Sequence, residues 1–120
     1  MVLVDTSVWV SHLRDGNDKM EILLNEGIVV CHHFVIGELA CGNLKNRTVI
    51  LTLFQSLPVM EIAEQEEVLQ FIENHQLMGK GLGFIDMHLL TSALLNDTPL
   101  WTLDKKLNQV SLKMNLSYKS

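Results

Sequence analysis

Four short apolar runs, each no longer than a strand and separated by longer helix-like segments, constrain this chain more than any other feature. They are Val2-Leu3-Val4, Ile28-Val29-Val30-Cys31, Val59-Met60-Glu61-Ile62 and Leu100-Trp101-Thr102. The second is β-branched and apolar on both faces, as a central parallel strand covered on both sides must be. Ser7 to Arg14, Asp18 to Glu26, Phe34 to Cys41 and Thr48 to Ser56 read as helices, with Gly16, Gly27, Gly42 and Pro58 as stops. Asp18 to Glu26 is expected to bury Ile22, Leu23 and Leu24. Glu64 to Met78 has the clearest amphipathic period, with Val68, Leu69, Phe71 and Ile72 inward, and Phe84 to Asn96 is apolar nearly all round, as a buried central helix is. Leu116-Ser117-Tyr118 predicts a fifth strand at an edge. Strands alternating with helices give an α/β fold, a largely parallel sheet of four or five strands flanked by helices, with right-handed crossovers.

The 120 residues suit one domain over residues 1–120, with a radius of gyration of roughly 14 Å. Apolar residues at 48% support one core, and charged residues at 19% argue against disorder. A net charge of −5 excludes a generally basic nucleic-acid-binding surface but leaves room for a basic rim beside an acidic centre. The charge is uneven. Residues 61–98 hold seven acids against Lys80 alone, whereas residues 99–120 hold Lys105, Lys106, Lys113 and Lys119 against Asp104 alone. The first residues lack a basic n-region, and Asp5 interrupts the apolar run, so no secretory signal is expected. The nearly uncharged stretch Met87–Asn96 is half a membrane span. The expectation is a soluble cytoplasmic domain with no membrane partner, in which Cys31 and Cys41 are buried thiols rather than a disulfide.

Four acids stand where carboxylates are costly. Asp5 closes Val2-Leu3-Val4, and Asp104 follows Leu100-Trp101-Thr102-Leu103. Ligands of open α/β sheets bind at the carboxyl ends of strands, so both acids point to that edge. Glu38 shares helical spacing with Phe34, Val35 and Cys41, and Asp86 shares it with Leu89, Leu90 and Ala93. An unpaired ionised carboxylate in such surroundings needs a partner. No basic residue neighbours Asp5, Glu38 or Asp86 in sequence, and a shared divalent cation answers the need; all-oxygen ligands suit Mg²⁺ or Mn²⁺ rather than zinc. Taken singly, Asp5 and Asp86 also read as helix caps and Asp104 as a turn residue, whereas Glu38 is neither a cap nor part of a solvated stripe. His32 and His33 are adjacent and cannot converge on one metal, His88 reads as structural or at the rim, and Ser7 has no His base for a triad.

These residues resemble a known family. Leu-Val-Asp5-Thr6-Ser7-Val-Trp9, Ile-Gly-Glu38-Leu, Gly-Phe-Ile-Asp86-Met-His-Leu-Leu and Leu-Trp-Thr102-Leu-Asp104 recur in this order in PIN domains, over residues 2 to about 108. More narrowly, the chain is similar to the VapC-type ribonuclease toxins of toxin–antitoxin pairs. The resemblance implies a parallel sheet flanked by helices and an acidic pocket that binds Mg²⁺ or Mn²⁺ and cuts single-stranded regions of RNA. It also implies homodimers inhibited by a small antitoxin laid across the pocket. The chain departs from many relatives at Leu107 and Asn108, where a further acid is common, and its Lys105-Lys106 is more basic than some.

The expected chemistry is metal-assisted phosphodiester hydrolysis, with Asp5, Glu38, Asp86 and Asp104 as the catalytic and metal-ligating residues. Thr6, Ser7 and Thr102 offer hydroxyls to orient a water or phosphate. Lys45, Arg47, Lys80 and the basic C-terminal stretch offer phosphate contacts. Trp9 and Trp101 read as core residues or as base-stacking platforms. Two alternatives stay open: a phospho-accepting receiver domain, which needs an Asp at the end of a central strand, and a catalytically inactive PIN-like RNA-binding module.

Overall fold

The computed structural model describes residues 1–119. Its elements run β1 (Val2–Val4), α1 (Thr6–Asp15), α2 (Asp18–Asn25), β2 (Val29–His32), α3 (His33–Cys41), α4 (Arg47–Ser56), β3 (Val59–Met60), α5 (Gln65–His75), α6 (Phe84–Leu95), β4 (Leu100–Trp101) and α7 (Lys105–Lys113). The four strands pair only in parallel, in the order β3-β2-β1-β4. From β1 the chain therefore winds outward through β2 and β3, then returns to the other side of β1 as β4. That reversal opens a crevice outside the carboxyl ends of β1 and β4, the usual ligand position in open α/β sheets. Asp5 follows β1 and Asp104 follows β4, so topology alone brings two of the four acids to the crevice.

Strands this short persist because both faces are covered. Every residue of β1 and β2 is buried. Trp9 of α1 and Phe54 of α4 are buried and meet edge to face at 4.9 Å, which ties the helices on that side together. Leu89 and Leu90 of α6 and Leu107 of α7 are also fully buried. Each such side chain stabilises the fold by about 2 kcal/mol relative to exposure. The radius of gyration is 14.0 Å, as a chain of this length requires. Among the described residues no helix is long and apolar enough to cross a membrane.

Several expectations need correction. The fifth strand is a single parallel bridge, Leu100 to Ser117, although Tyr118 N–H still donates to Leu100 O at 2.9 Å. The third strand stops at Met60, and Ile62 is exposed. Ile22 and Leu69 point outward. The inward stripe of α2 is Met20 and Leu23, and that of α5 is Val68 and Phe71 with Ile72 beside it. Position 22 lies about 100° round the helix from position 23, enough to leave the stripe. The α6 helix is buried from Met87 to Ala93, but Phe84, Leu94 and Leu95 at its ends are exposed. Cys31 is buried, and burial pushes its thiol up to about 12, whereas Cys41 is exposed; both are free.

Candidate active site

Asp5 is the deepest of the four acids, at 6% exposure. It occupies the N-cap position of α1 but makes no side-chain cap bond to that helix. Its Oδ2 instead accepts from Ser7 Oγ and from Thr102 Oγ1, each at 2.7 Å. The two hydroxyls also accept: Ser7 Oγ takes Leu103 N–H at 2.9 Å and Thr102 Oγ1 takes Asp104 N–H at 3.0 Å. A buried carboxylate is thus fixed by two hydroxyls that also hold the β4–α7 turn.

The other three acids arrive from three helices. Glu38 lies on α3, where its Oε1 accepts from Thr6 Oγ1 at 2.7 Å. Asp86 occupies the first turn of α6, where its Oδ2 accepts Gly83 N–H at 3.0 Å. Asp104 caps α7 through Oδ1, which accepts Leu107 N–H at 2.9 Å. Burial raises the Asp86 carboxyl above its ordinary value. The Gly83 N–H opposes that rise, and the charges of Asp5, Asp104 and Glu38 add to it. Asp86 therefore lies close enough to Asp5, Asp104 and Glu38 to feel their charges.

Their burial differs from expectation. Glu38 and Asp104 are exposed and Asp86 is half-buried, so only Asp5 sits in a dry setting. The reason is helical geometry. Val35 and Leu39 carry the buried face of α3, and Glu38, about 100° from Leu39, faces the crevice. Each acid is held through one oxygen, and its second oxygen accepts from no other described residue. None of the four is ion-paired among the described residues. Among the described residues no three His, Cys, Asp or Glu side chains converge closely enough to hold a metal ion between them.

The histidines take no part in this network. His32 is fully buried, its Nδ1 accepts Phe34 N–H at 3.0 Å, and burial followed by the charges of His88 and His33 lowers it to about 4. His88 is buried and packs edge-on against Phe34 at 4.7 Å and Phe84 at 4.8 Å, a structural role. Trp9 belongs to the core, and Trp101 leans on Tyr118 at 5.6 Å. Arg47 is not available for phosphate: its guanidinium donates to Ala40 O at 2.6 Å and Gly42 O at 3.2 Å, closing the end of α3. Leu107 is buried in the core, and Asn108 Oδ1 accepts from Ser117 Oγ at 2.9 Å. Gly83, whose N–H anchors Asp86, is absent from the residues that the sequence points to; its place three residues before an acid that opens a helix is the available signal.

The family model for the PIN domain matches residues 2–113. The chain belongs to the PIN domain family. This PIN domain is 44% identical over 108 residues to Ribonuclease VapC32 of Mycobacterium tuberculosis, spanning 89% of this chain and 87% of that protein. Its fold is similar to Mycobacterium tuberculosis VapC20, described as a sarcin–ricin loop cleaving toxin, with a TM-score of 0.66 and 17% identity over 92% of this chain and 95% of the other. It is also similar to FitAcB from Neisseria gonorrhoeae, with a TM-score of 0.64 and 21% identity over 89% and 90% of the two chains. At those identities the two structures speak for the fold of this PIN domain, which is the α/β architecture expected from the sequence.

Proposed function

We infer that this chain is an endoribonuclease of the VapC toxin class that hydrolyses RNA phosphodiester bonds. The observation that carries this reading is the set of four carboxylates delivered by four elements to the switch-point crevice of a PIN domain, each with a spare oxygen and no basic partner. The 44% identity to a ribonuclease agrees with it.

The donor set fits a divalent cation. It is all-oxygen and unpaired, and the charges of Asp5, Asp104 and Glu38 add to the burial that raises Asp86. Asp5, Glu38, Asp86 and Asp104 would hold Mg²⁺ or Mn²⁺. Such an ion supplies an activated water and neutralises charge on the phosphoryl oxygens. The protein's own part is preorganisation. Ser7 and Thr102 fix Asp5, Thr6 fixes Glu38, and Gly83 N–H fixes Asp86, so each carboxylate is held through one oxygen and offers the other to a ligand. In this reading residues 1–120 act as one nuclease domain in the cytoplasm, as a homodimer, and a small antitoxin protein covers the crevice. A receiver domain is disfavoured because β3 is followed by Glu61 rather than by an acceptor Asp.

Purified protein incubated with RNA containing exposed loops is expected to cleave it in Mg²⁺ or Mn²⁺, with cleavage lost in EDTA and restored by excess metal. Cleavage that persists in excess chelator overturns the metal reading. No cleavage under any metal favours the inactive RNA-binding module.

A further inference from the structure

Beside the acidic crevice lies a groove of opposite character. It has a volume of about 310 Å³ and is lined by His75, Leu77, Lys80, Lys106, Gln109, Val110, Lys113 and Met114, with no acid among them. In a chain of net charge −5 this is unusual, since Lys80 is the only lysine or arginine from 61 to 98 and it faces this groove. Lone exposed lysines are the default on any surface. These three differ because they line one groove together. Lys106, Gln109, Val110 and Lys113 follow the spacing of one helical face, so α7 presents two of its three lysines to the same side.

The groove adjoins the carboxylates through the chain itself. Lys106 is the second residue of α7, the helix that Asp104 caps. Lys80 stands in the loop that ends at Gly83, whose N–H holds Asp86. The two walls are also fitted to each other. Gly81 has a φ of +79°, and a Cβ there would lie 2.9 Å from Lys106 Nζ and 3.2 Å from its Cδ. A Cβ there would push aside the end of the Lys106 side chain, so the bare backbone of Gly81 lets Lys106 lie against this loop and join it to α7.

We propose that this groove binds the phosphodiester backbone of the RNA strand flanking the scissile bond, with Lys80, Lys106 and Lys113 contacting its phosphates. The proposal rests on the nuclease reading above and extends its substrate site. Cations on the loop that leads to Asp86 and on the helix that Asp104 caps suit a single-stranded polyanion, since phosphate contacts set register and supply affinity without reading sequence.

The test compares wild type with Lys80→Gln/Lys113→Gln and with a control, Arg14→Gln/Lys19→Gln, which removes the same charge from residues that the sequence does not put forward for phosphate contact. All four side chains are exposed, so the fold is expected to tolerate both variants. Binding of a fluorescent 12-nucleotide oligouridine is followed by anisotropy in EDTA across a salt series, so that no strand is cut. The groove variant is expected to bind on the order of tenfold more weakly at low salt, with its log–log salt slope reduced by about 1.4, roughly 0.7 for each phosphate that no longer meets a lysine. The control is expected to keep the wild-type slope. Equal slopes in wild type and groove variant overturn the proposal, as does an equal loss of affinity in both variants or an absence of wild-type binding. Loss of binding to a polyglutamate peptide with RNA binding intact overturns it in favour of an acidic protein segment. A second arm measures turnover in Mn²⁺. KM for RNA is expected to rise in the groove variant, while hydrolysis of bis(4-nitrophenyl) phosphate, too small to reach the groove, stays at the wild-type rate. If wild type binds RNA with the expected slope but cuts neither substrate, the nuclease reading falls and the groove assignment stands.

Discussion

At the scale of single residues, the arrangement around Asp5 is the one with fewest alternatives. A buried carboxylate without a cation beside it must be held by donors, and here both come from hydroxyls, Ser7 Oγ and Thr102 Oγ1. Thr102 acts in two directions, donating to Asp5 and accepting from Asp104 N–H. Thr102→Val keeps the shape of the side chain and removes both bonds. It is expected to destabilise the protein by about 2 kcal/mol, because buried groups lose their partner. It is also expected to lower RNA cleavage more than tenfold, since Asp5 and the Asp104 turn loosen together. Thr102→Ser should recover most of both losses. Urea unfolding and an RNA cleavage assay on the three proteins check this; a Val variant within about 0.5 kcal/mol of wild type, the usual scatter for neutral surface changes, and fully active would show that the network holds nothing.

At the scale of elements, Asp104 serves two purposes that substitution can separate. Its Oδ1 caps α7, and its other oxygen is unengaged among the described residues. Asn caps nearly as well as Asp but carries no charge. Asp104→Asn is therefore expected to unfold within about 0.5 kcal/mol of wild type yet lose cleavage, whereas Asp104→Ala loses cleavage and about 1 kcal/mol as well. A fully active Asn variant would reduce Asp104 to a cap. The same double use explains what could be read from sequence. Strand and helix order was legible because apolar runs such as Val29-Val30-Cys31 and stops such as Gly16 are local signals. The placement of Asp5 and Asp104 at the carboxyl ends of β1 and β4 was legible because each follows an apolar run. Which face each helix buries was less legible: Ile22 and Leu69 adjoin inward residues and look alike in a pattern, but each lies about 100° away on the cylinder. The exposure of Glu38 escaped for the same reason. Lys106 lying across Gly81 joins a loop to a helix some 25 positions on, a juxtaposition with no local signature.

At the scale of the whole molecule, the acidic crevice exists only in the folded chain, because β1, α3, α6 and α7 each deliver one member. Folding therefore concentrates negative charge, and the cost appears on Asp86, whose carboxyl is raised by burial and by Asp5, Asp104 and Glu38. For an acid raised in the folded state, the native protein holds its proton where the unfolded chain has released it. Stability from this group is accordingly full below the unfolded carboxylate range and declines as pH rises through the folded value. At pH 7 without metal the group opposes folding. Asp86→Asn removes that opposition while its side-chain oxygen can still accept Gly83 N–H. The metal-free variant is expected to melt at the same temperature as wild type or higher at pH 7, with any advantage shrinking as pH falls toward 3. A cation that binds only the native state should stabilise by mass action, by about 2.7 kcal/mol at a hundredfold excess over Kd. Mn²⁺ is therefore expected to raise the wild-type midpoint by several degrees and that of Asp86→Asn by clearly less. Differential scanning fluorimetry at pH 7 and at low pH, with and without Mn²⁺, reads all of this. Equal Mn²⁺ shifts in the two proteins would leave Asp86 as a helix-capping residue only, and a variant that melts well below wild type without metal would show that its charge supports the fold rather than straining it.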